Sequence, residues 1–304
     1  MRVASFNLQN LRLRGTRLDG ARDADSPLDT APGAARLDRA DRRLTASVLR
    51  DARADVVALQ EVFDRAALDA FHDRMLVPAG TAPYPHRVCL PGNDGRGLDV
   101  ALMSRRPLHG IRSHAALIAR DLGLTPPPEQ DPDAPIFRRD CLQARAGGLT
   151  LFVCHFKAPY PDPKAAAAIR RMEAQAVRAL ISRMFPDPAA ALWLVLGDLN
   201  EPVDTDPPAI APLLPPFSVD LMARLPDERR WSWFEPQGGL YGQPDVLLAS
   251  PALAARVPGA RPEILREGLG LEARRNTGPH LPEVGRHRPH ASDHAAIVVE
   301  FPGL

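Results

Sequence analysis

The chain has 304 residues, of which 45% are hydrophobic and 25% are charged, the composition of an ordinary globular protein. Its 38 basic and 37 acidic side chains leave a net charge of +1, which argues against a protein held on nucleic acid by a general basic excess, although a local basic patch is compatible with it. No apolar run reaches the ~20 residues of a membrane span, and the first residues lack the apolar segment of a signal peptide, so we expect an unprocessed cytoplasmic protein.

Seven short apolar runs have the length and composition of β-strands. They are residues 3–6, 56–59, 100–103, 149–154, 192–196, 246–248 and 295–301. Some of these runs are apolar throughout and others alternate with polar residues. This mixture predicts a mixed sheet that is covered by helices on one face and by a second sheet on the other.

Three longer segments, 39–51, 65–76 and 164–185, have helical length and apolar spacing. Three Pro-rich, Gly-rich or charged stretches, 12–37, 123–135 and 268–291, predict loops. Loops this long in a compact domain are usually functional or disordered. The sequence contains no evident repeat and no clear linker, so we predict a single domain over residues 1–304.

Several predicted strands end in a polar residue of a type that binds metal ions or transfers protons. These residues are Asn7, Glu61, His155, Asp198 with Asn200, and Asp293 with His294. In layered α/β proteins, strand ends are where side chains from distant parts of the chain can meet in one pocket. One such residue alone could simply face solvent, but the set of them together predicts an active site.

The motifs SFNLQNL, ADVVALQEV, GLDVALMSRRPL, LFVCHFKA, LVLGDLNEP, PDVLLAS and SDHAAIVVEF follow one another between residues 3 and 301. In type and order they resemble the motifs of the endonuclease/exonuclease/phosphatase superfamily, which includes DNase I-like nucleases, abasic-site endonucleases, inositol-polyphosphate phosphatases and bacterial sphingomyelinases. The resemblance implies an α/β (α+β) protein with a DNase I-like fold, a four-layer αββα sandwich of two packed mixed β-sheets. It also implies Mg²⁺-dependent hydrolysis of phosphate esters.

The resemblance implies a divalent-metal site formed mainly by residues of the first two motifs. Glu61 matches the carboxylate that binds the divalent cation, and Asn7 matches the residue that supports this cation and the substrate phosphate. Asp293 could add a further oxygen ligand. Mg²⁺ suits such a site because it takes oxygen ligands and binds through one or two carboxylates plus the substrate phosphate; Mn²⁺ is the alternative cofactor.

The resemblance also implies catalytic roles. Asp198 and Asn200 match the pair that orients the attacking water and the phosphate, and His155 matches the histidine beside the scissile phosphate. His294 matches the closing histidine, which Asp245 would orient. An imidazole held by a carboxylate suits a general base. His155 could instead stabilise the phosphorane or protonate the leaving group, so acid and base stay unassigned among Asp198, His155 and His294.

Three further charged residues have two interpretations each. Lys157, two residues after His155, predicts a phosphate contact or a solvated charge. Arg139 could bind the phosphate through two donors, or form a surface salt bridge. Asp99 interrupts an apolar strand and could pair with His155 or face solvent.

Some features depart from the family pattern or have no assigned function. Gln9 stands where abasic-site endonucleases usually carry an aspartate, which counts against that subgroup. The histidines of the late loop are predicted to lie at the rim, and the aromatic residues of WSWF are predicted to have a core or strand role. These are His280, His287 and His290, and Trp231, Trp233 and Phe234.

Three functions remain in competition at this point. A metal-dependent phosphodiesterase, most simply a nuclease acting on DNA or RNA, is the first. A phosphomonoesterase acting on a small or lipid-derived phosphate shares the same catalytic set. A non-catalytic binding protein is opposed by the intact Glu61, His155, Asp198, Asn200 and His294. We expect a monomer in each case.

Overall fold

The computed structural model describes residues 1–25, 27, 29–128, 130–203 and 205–304. The strands in these residues are β1 (Arg2–Leu11), β2 (Leu13–Arg14), β3 (Arg17–Leu18), β4 (Val56–Val62), β5 (His86–Cys89), β6 (Asp99–Ser104), β7 (Leu108–Arg112), β8 (Cys141–Ala146), β9 (Leu149–His155), β10 (Trp193–Asp198), β11 (Val219–Asp220), β12 (Trp233–Glu235), β13 (Leu240–Gly242), β14 (Asp245–Ala249), β15 (Glu263–Leu265) and β16 (Ala296–Glu300). The α-helices are α1 (Ala34–Ala52), α2 (Arg65–Phe71), α3 (Pro163–Met184) and α4 (Pro251–Arg256). Shorter helical turns are a π-helical turn at His72–Leu76 and 3₁₀ turns at Ala119–Leu122, Ala211–Leu213, Met222–Arg224 and Asp227–Arg229.

Most strands belong to two six-stranded sheets. The first has the order β15-β16-β1-β4-β6-β5 and the second the order β11-β14-β10-β9-β8-β7. In the first sheet β1 and β4 are parallel, whereas β1–β16 and β4–β6 are antiparallel. In the second sheet β9 and β10 are parallel, whereas β8–β9 and β10–β14 are antiparallel. Both sheets are therefore mixed, as predicted.

The two sheets pack face to face. Because successive side chains of a strand point to opposite faces, each central strand contributes one row to the space between the sheets and one row to the helices outside. Val3 and Val100 of the first sheet belong to the same buried cluster as Leu151 and Leu196 of the second. Helices α1 and α2 cover the outer face of the first sheet, and α3 covers that of the second. The predicted four-layer αββα sandwich is confirmed.

Each predicted apolar strand lies within an observed strand or overlaps it, but some boundaries differ. Strand β1 continues to Leu11, beyond the predicted end at residue 6. Gln9 and Asn10 adopt positive φ angles of 47° and 66° and form an irregularity in the pairing with β4, which resumes at Leu11. Helix α1 begins five residues earlier than predicted. The predicted helix 65–76 changes after Phe71 into the π-helical turn.

The predicted loops are largely confirmed. Segment 12–37 contains the short hairpin β2–β3 and the start of α1, and its residues Ser26 and Leu28 lie outside the described part. Within the described residues of 123–135 and 268–291 there is no helix or strand, and Glu129 lies outside them. None of the helices in the described part of the chain has both the length and the hydropathy that crossing a membrane requires.

Candidate active site

Strand pairing brings the predicted site residues together at one end of the sandwich. In the first sheet Asn7 pairs in register with Gln60, the neighbour of Glu61. In the second sheet His155 pairs in register with Asp198. Because β1 also packs against β10, both sheets contribute to one cleft of about 860 Å³.

Asp198 lies at the centre of this cleft. Its Oδ2 is 3.6 Å from His155 Nε2 and 3.7 Å from His294 Nε2. Asn7 Nδ2 donates to the same oxygen at 3.0 Å, and the backbone N–H of Asn200 donates to Oδ1 at 2.9 Å. Burial raises the pKa of Asp198 to about 6, so this carboxylate is a stronger proton acceptor than an exposed aspartate.

The His294 side chain is fixed by a buried carboxylate. Its Nδ1 lies 2.9 Å from Asp245 Oδ2, and Ser232 Oγ donates to that same oxygen at 2.6 Å. Burial by itself would lower the pKa of His294. The carboxylates of Asp245, Asp293 and Asp198 outweigh burial and raise this pKa well above its usual value, which favours the imidazolium.

The surroundings of His155 shift its pKa in the opposite direction. Burial, followed by the positive charge of Arg139, lowers the pKa of His155 well below its usual value. Its Nδ1 is buried and has no hydrogen-bond partner among the described residues. The two histidines on either side of Asp198 are therefore expected to carry different charges at neutral pH, His155 being neutral.

The metal-binding candidates lie beside Asp198. The backbone N–H of Asn10 donates to Glu61 Oε2 at 2.9 Å, and Asn7 Nδ2 lies 3.4 Å from Glu61 Oε1. Burial and the neighbouring Asp293 carboxylate raise the pKa of Glu61 to about 7. A divalent cation would offset this accumulation of negative charge.

The donor set fits Mg²⁺ held through few protein ligands. Among the described residues no three His, Cys, Asp or Glu side chains converge as an ion-binding group, and Mg²⁺ typically uses one or two carboxylates with waters and substrate phosphate. Asn7 turns its Nδ2 to the carboxylates, while its Oδ1 accepts from Gln9 N at 3.0 Å. The role of Asn7 as a metal ligand thus stays a prediction.

Positive backbone φ angles concentrate at this site. Of the seven described non-glycine residues with positive φ, four belong to it: Gln9, Asn10, Glu61 and Asn200. Such conformations cost free energy and persist where the surrounding structure enforces them. Here they redirect the chain at the points where functional side chains leave the strands.

Gly197 permits the close pairing of β9 and β10 immediately before Asp198. Its φ is 136°, and a Cβ at this position would lie 2.0 Å from the backbone oxygen of Cys154. We expect Gly197→Ala to lower the free energy of unfolding by roughly 2–4 kcal/mol and to remove activity, since the strands bearing His155 and Asp198 must separate. Urea unfolding and an activity assay measure both effects.

The matched control is Gly148→Ala. Gly148 lies between β8 and β9, and a Cβ there would meet no described atom within 4 Å. This control should retain wild-type stability. Equal stability of Gly197→Ala and the wild-type protein would contradict the steric argument.

Arg139 and Lys157, the two candidates for an additional phosphate contact, lie in different environments. Arg139 lines the cleft but is buried, with Nη1 donating to Phe156 O at 2.8 Å and Nε 3.2 Å from Asp94 Oδ2. Its salt bridge is therefore internal, not on the surface, and its phosphate contact stays a prediction. Lys157 instead directs its ammonium to the carbonyl oxygens of Ala158 and Tyr160.

Asp99 does not form the proposed pair with His155. Its Oδ1 accepts from the backbone N–H of Gly92 at 2.9 Å. The prediction that His290 lies at the rim is also wrong, because His290 is buried and its Nε2 lies 3.0 Å from Gln9 Oε1. That same Gln9 oxygen accepts from Asp293 N at 3.1 Å, so Gln9 helps to position Asp293.

Sequence reasoning missed several buried side chains that hold the site loops. Arg42 of α1 is completely buried and donates to the carbonyl oxygens of Leu8, Gln9 and Asn10 at 2.7–2.9 Å. It also donates to two carbonyls of the loop between β3 and α1. Arg42 therefore holds the irregular end of β1 that supports Glu61.

Helix α3 performs a similar task for the second sheet. Glu173 accepts from the backbone N–H groups of Arg138 and Lys157, each at 2.9 Å. Arg170 donates to Lys157 O at 3.1 Å and pairs with Glu201 at 3.3 Å. The sequence contained one indication of their role, because these two charged residues fall at helical spacing within the buried stripe of α3.

The four-layer fold and this cluster of carboxylates, amides and imidazoles define a hydrolase of phosphate esters. The sequence model of the Endonuclease/Exonuclease/phosphatase family matches residues 4–294, and the chain belongs to that family. No curated protein sequence matches the chain significantly.

Several solved structures share this fold. The truncated TDP2 of Caenorhabditis elegans matches with a TM-score of 0.59 at 16% identity, over 98% of this chain and 95% of that one. An AP endonuclease from Archaeoglobus fulgidus gives 0.59 at 15% identity, over 99% of both chains. The 3'-5' exonuclease NExo from Neisseria meningitidis gives 0.55 at 18% identity, again over 99% of both.

Proposed function

We propose that this chain is a Mg²⁺-dependent phosphodiesterase, with Mn²⁺ as an alternative cofactor. The observation that carries the proposal is the position of Asp198, whose Oδ2 lies within 3.7 Å of His155 Nε2 and of His294 Nε2. Asn7 links this carboxylate to Glu61. With the roles proposed here, a proton acceptor, a proton donor and a cation site would lie side by side, as attack of water on a phosphate ester requires.

The charge of the cleft favours diesters over monoesters. The described residues that line it include six carboxylates, against two arginines and the His294 imidazole, whose pKa is raised by its carboxylate neighbours in spite of burial. A phosphodiester carries one negative charge, whereas a monoester carries nearly two at neutral pH and would need more cationic partners. This balance supports a phosphodiesterase over the phosphomonoesterase alternative.

The proposed mechanism assigns a proton acceptor and a donor. Asp198 and Asn200 hold the attacking water, and Asp198 accepts its proton as the new P–O bond forms and the ester P–O bond breaks. The leaving oxygen takes a proton from solvent. His294 donates from Nε2 to a non-bridging oxygen, a role that its carboxylate surroundings favour over that of general base.

Mg²⁺ would be held by Glu61 and Asp293, and would offset the charge that develops on the phosphoryl and leaving oxygens. Glu61 keeps its carboxylate oriented through Asn10, and Asp293 does so through Trp233, whose Nε1 donates to Asp293 Oδ2 at 3.2 Å. We further propose that residues 1–304 act as one domain and as a monomer, since the site is assembled within one chain.

A substrate panel with a metal control tests the proposal. We expect bis(p-nitrophenyl) phosphate to be hydrolysed with Mg²⁺ or Mn²⁺, the activity to disappear in EDTA, and excess Mg²⁺ to restore it. Plasmid DNA, single-stranded DNA, abasic DNA, p-nitrophenyl phosphate and phosphoinositides complete the panel. Hydrolysis of p-nitrophenyl phosphate alone would support the phosphomonoesterase instead, and binding without any turnover would support a non-catalytic protein.

A further inference from the structure

Apolar side chains line the same cleft as the candidate catalytic groups. Val203 and Leu240 both line it, although 67% and 59% of their surfaces are exposed. Trp233 and Tyr241 line the same cleft. We call these four residues the apolar rim. Large exposed apolar side chains that line a cleft are typical of a binding surface for an apolar ligand group.

The aromatic ring of Tyr241 in the rim is held by contacts on several sides. The Tyr241 ring packs 4.8 Å from the Phe234 ring and 5.0 Å from the Trp231 ring, and both of these residues are buried. The Tyr241 hydroxyl accepts from the backbone N–H of Arg275 at 3.1 Å. Because these contacts already fix the position of the Tyr241 ring, binding of a ligand group against it costs little further side-chain entropy.

The rim is also fixed relative to the catalytic groups. Trp233 donates through Nε1 to Asp293, and its ring centroid lies 6.4 Å from that of His294. The backbone N–H of Phe234 donates to Asp293 O at 3.1 Å. A phosphoryl group bound beside His294 would therefore place one of its substituents near Trp233 of the rim.

The rest of the cleft is unsuited to a polyanion. Of the two arginines among the described lining residues, Arg96 is paired with Asp94 at 3.0 Å and with Asp25 at 3.3 Å. Arg139 is also paired with Asp94. Single strands are usually bound by a positively charged groove that follows the backbone, with aromatic stacking added to it. In the described part of this cleft Trp233 and Tyr241 are present without that groove, and the Tyr241 ring already has the Arg275 guanidinium 4.2 Å from its centroid.

Resting on the proposed function, we propose that the apolar rim binds an apolar substituent of a small phosphodiester. The substituent is aromatic or alkyl, and the acidic cleft selects against polynucleotides. Val203 and Leu240 are then specificity-determining residues, because they contact the substituent and not the phosphoryl group.

Binding of three diesters that differ only in their substituents tests this. Diphenyl, dibutyl and dimethyl phosphate are measured by isothermal titration calorimetry, and as inhibitors of bis(p-nitrophenyl) phosphate hydrolysis. We expect diphenyl or dibutyl phosphate to bind the wild-type protein at least about tenfold more tightly than dimethyl phosphate. The tighter of the two identifies the substituent as aromatic or alkyl.

Substitutions in the apolar rim test whether its side chains cause the preference for apolar substituents. Leu240→Ser and Val203→Ser should lose most of the tenfold preference with unchanged thermal stability. Ile111→Ser removes an apolar side chain that is 43% exposed on β7, outside the cleft lining, and should keep the preference. Equal affinity for all three diesters, or a preference that survives in both rim variants, would overturn the proposal while leaving a hydrolase in place.

A single-stranded oligonucleotide tests whether the cleft binds nucleic acid in preference to a small diester. We expect a 12-nucleotide single strand to be hydrolysed with a lower kcat/KM than bis(p-nitrophenyl) phosphate. A higher value, falling steeply with salt as release of several counterions requires, would assign the cleft to nucleic acid. Tight binding of diphenyl phosphate without hydrolysis of any ester would refute the proposed function and leave the rim assignment standing.

Discussion

Asp198→Asn is expected to lower kcat for a phosphodiester by about 10²–10⁴-fold. The asparagine keeps the size of the side chain but cannot accept the proton of the attacking water. Stability should change little, because removing the buried carboxylate, whose pKa is about 6, offsets the hydrogen bond that is lost where the amide NH₂ replaces an accepting oxygen. Steady-state kinetics with saturating Mg²⁺ and a thermal unfolding curve measure both quantities.

Asp227→Asn is the matched control, since the Asp227 side chain is 88% exposed and lies in a 3₁₀ turn away from the cleft lining. It should retain wild-type kcat. If Asp198→Asn turns over phosphodiesters at the wild-type rate, Asp198 is not the proton acceptor. If activity falls only together with a lower melting temperature, the loss is structural.

Glu61→Gln is expected to weaken binding of the divalent cation by roughly 10–100-fold or more. The amide can still accept from Asn10 N, so the positive φ of 61° and the local structure should persist. The negative charge that attracts the cation is lost. Mn²⁺ binding followed by electron paramagnetic resonance gives a readout independent of turnover, and a Mg²⁺ titration of activity gives the second.

His294→Ala separates metal binding from catalysis. It removes the imidazole beside Asp198 but leaves Glu61 in place, so Mn²⁺ binding should be close to wild type while kcat falls by about 10²–10⁴-fold. Loss of Mn²⁺ binding in His294→Ala and its retention in Glu61→Gln would reverse the two assignments.

Most of the regular structure could be predicted from the sequence. The central strands are short apolar runs, and their period and length are local properties that residues such as Val56 and Leu194 carry wherever they are placed. The short outer strands β7, β11 and β15 were not predicted, because their residues are partly exposed and form strands only beside a neighbour.

The candidate site was predictable in its residue types but not in its contacts. Asn7, Glu61, His155, Asp198 and His294 stand out because each ends or borders an apolar strand. The contacts of their supporting residues could not be read in the same way. Ser232 lies beside Asp245 and Gln9 beside Asp293, through turns that periodicity does not describe.

The sequence by itself determined the order of strands and helices, the family motifs and the chemical types at the strand ends, since all of these are properties of neighbouring residues. The tertiary structure alone decided that Asp198 stands between two histidines, that Lys157 faces backbone carbonyls and that Arg139 is already paired with Asp94. The reason is physical. These contacts join side chains far apart in the chain, and their directions depend on sheet register and on left-handed turns, which packing of the whole molecule fixes.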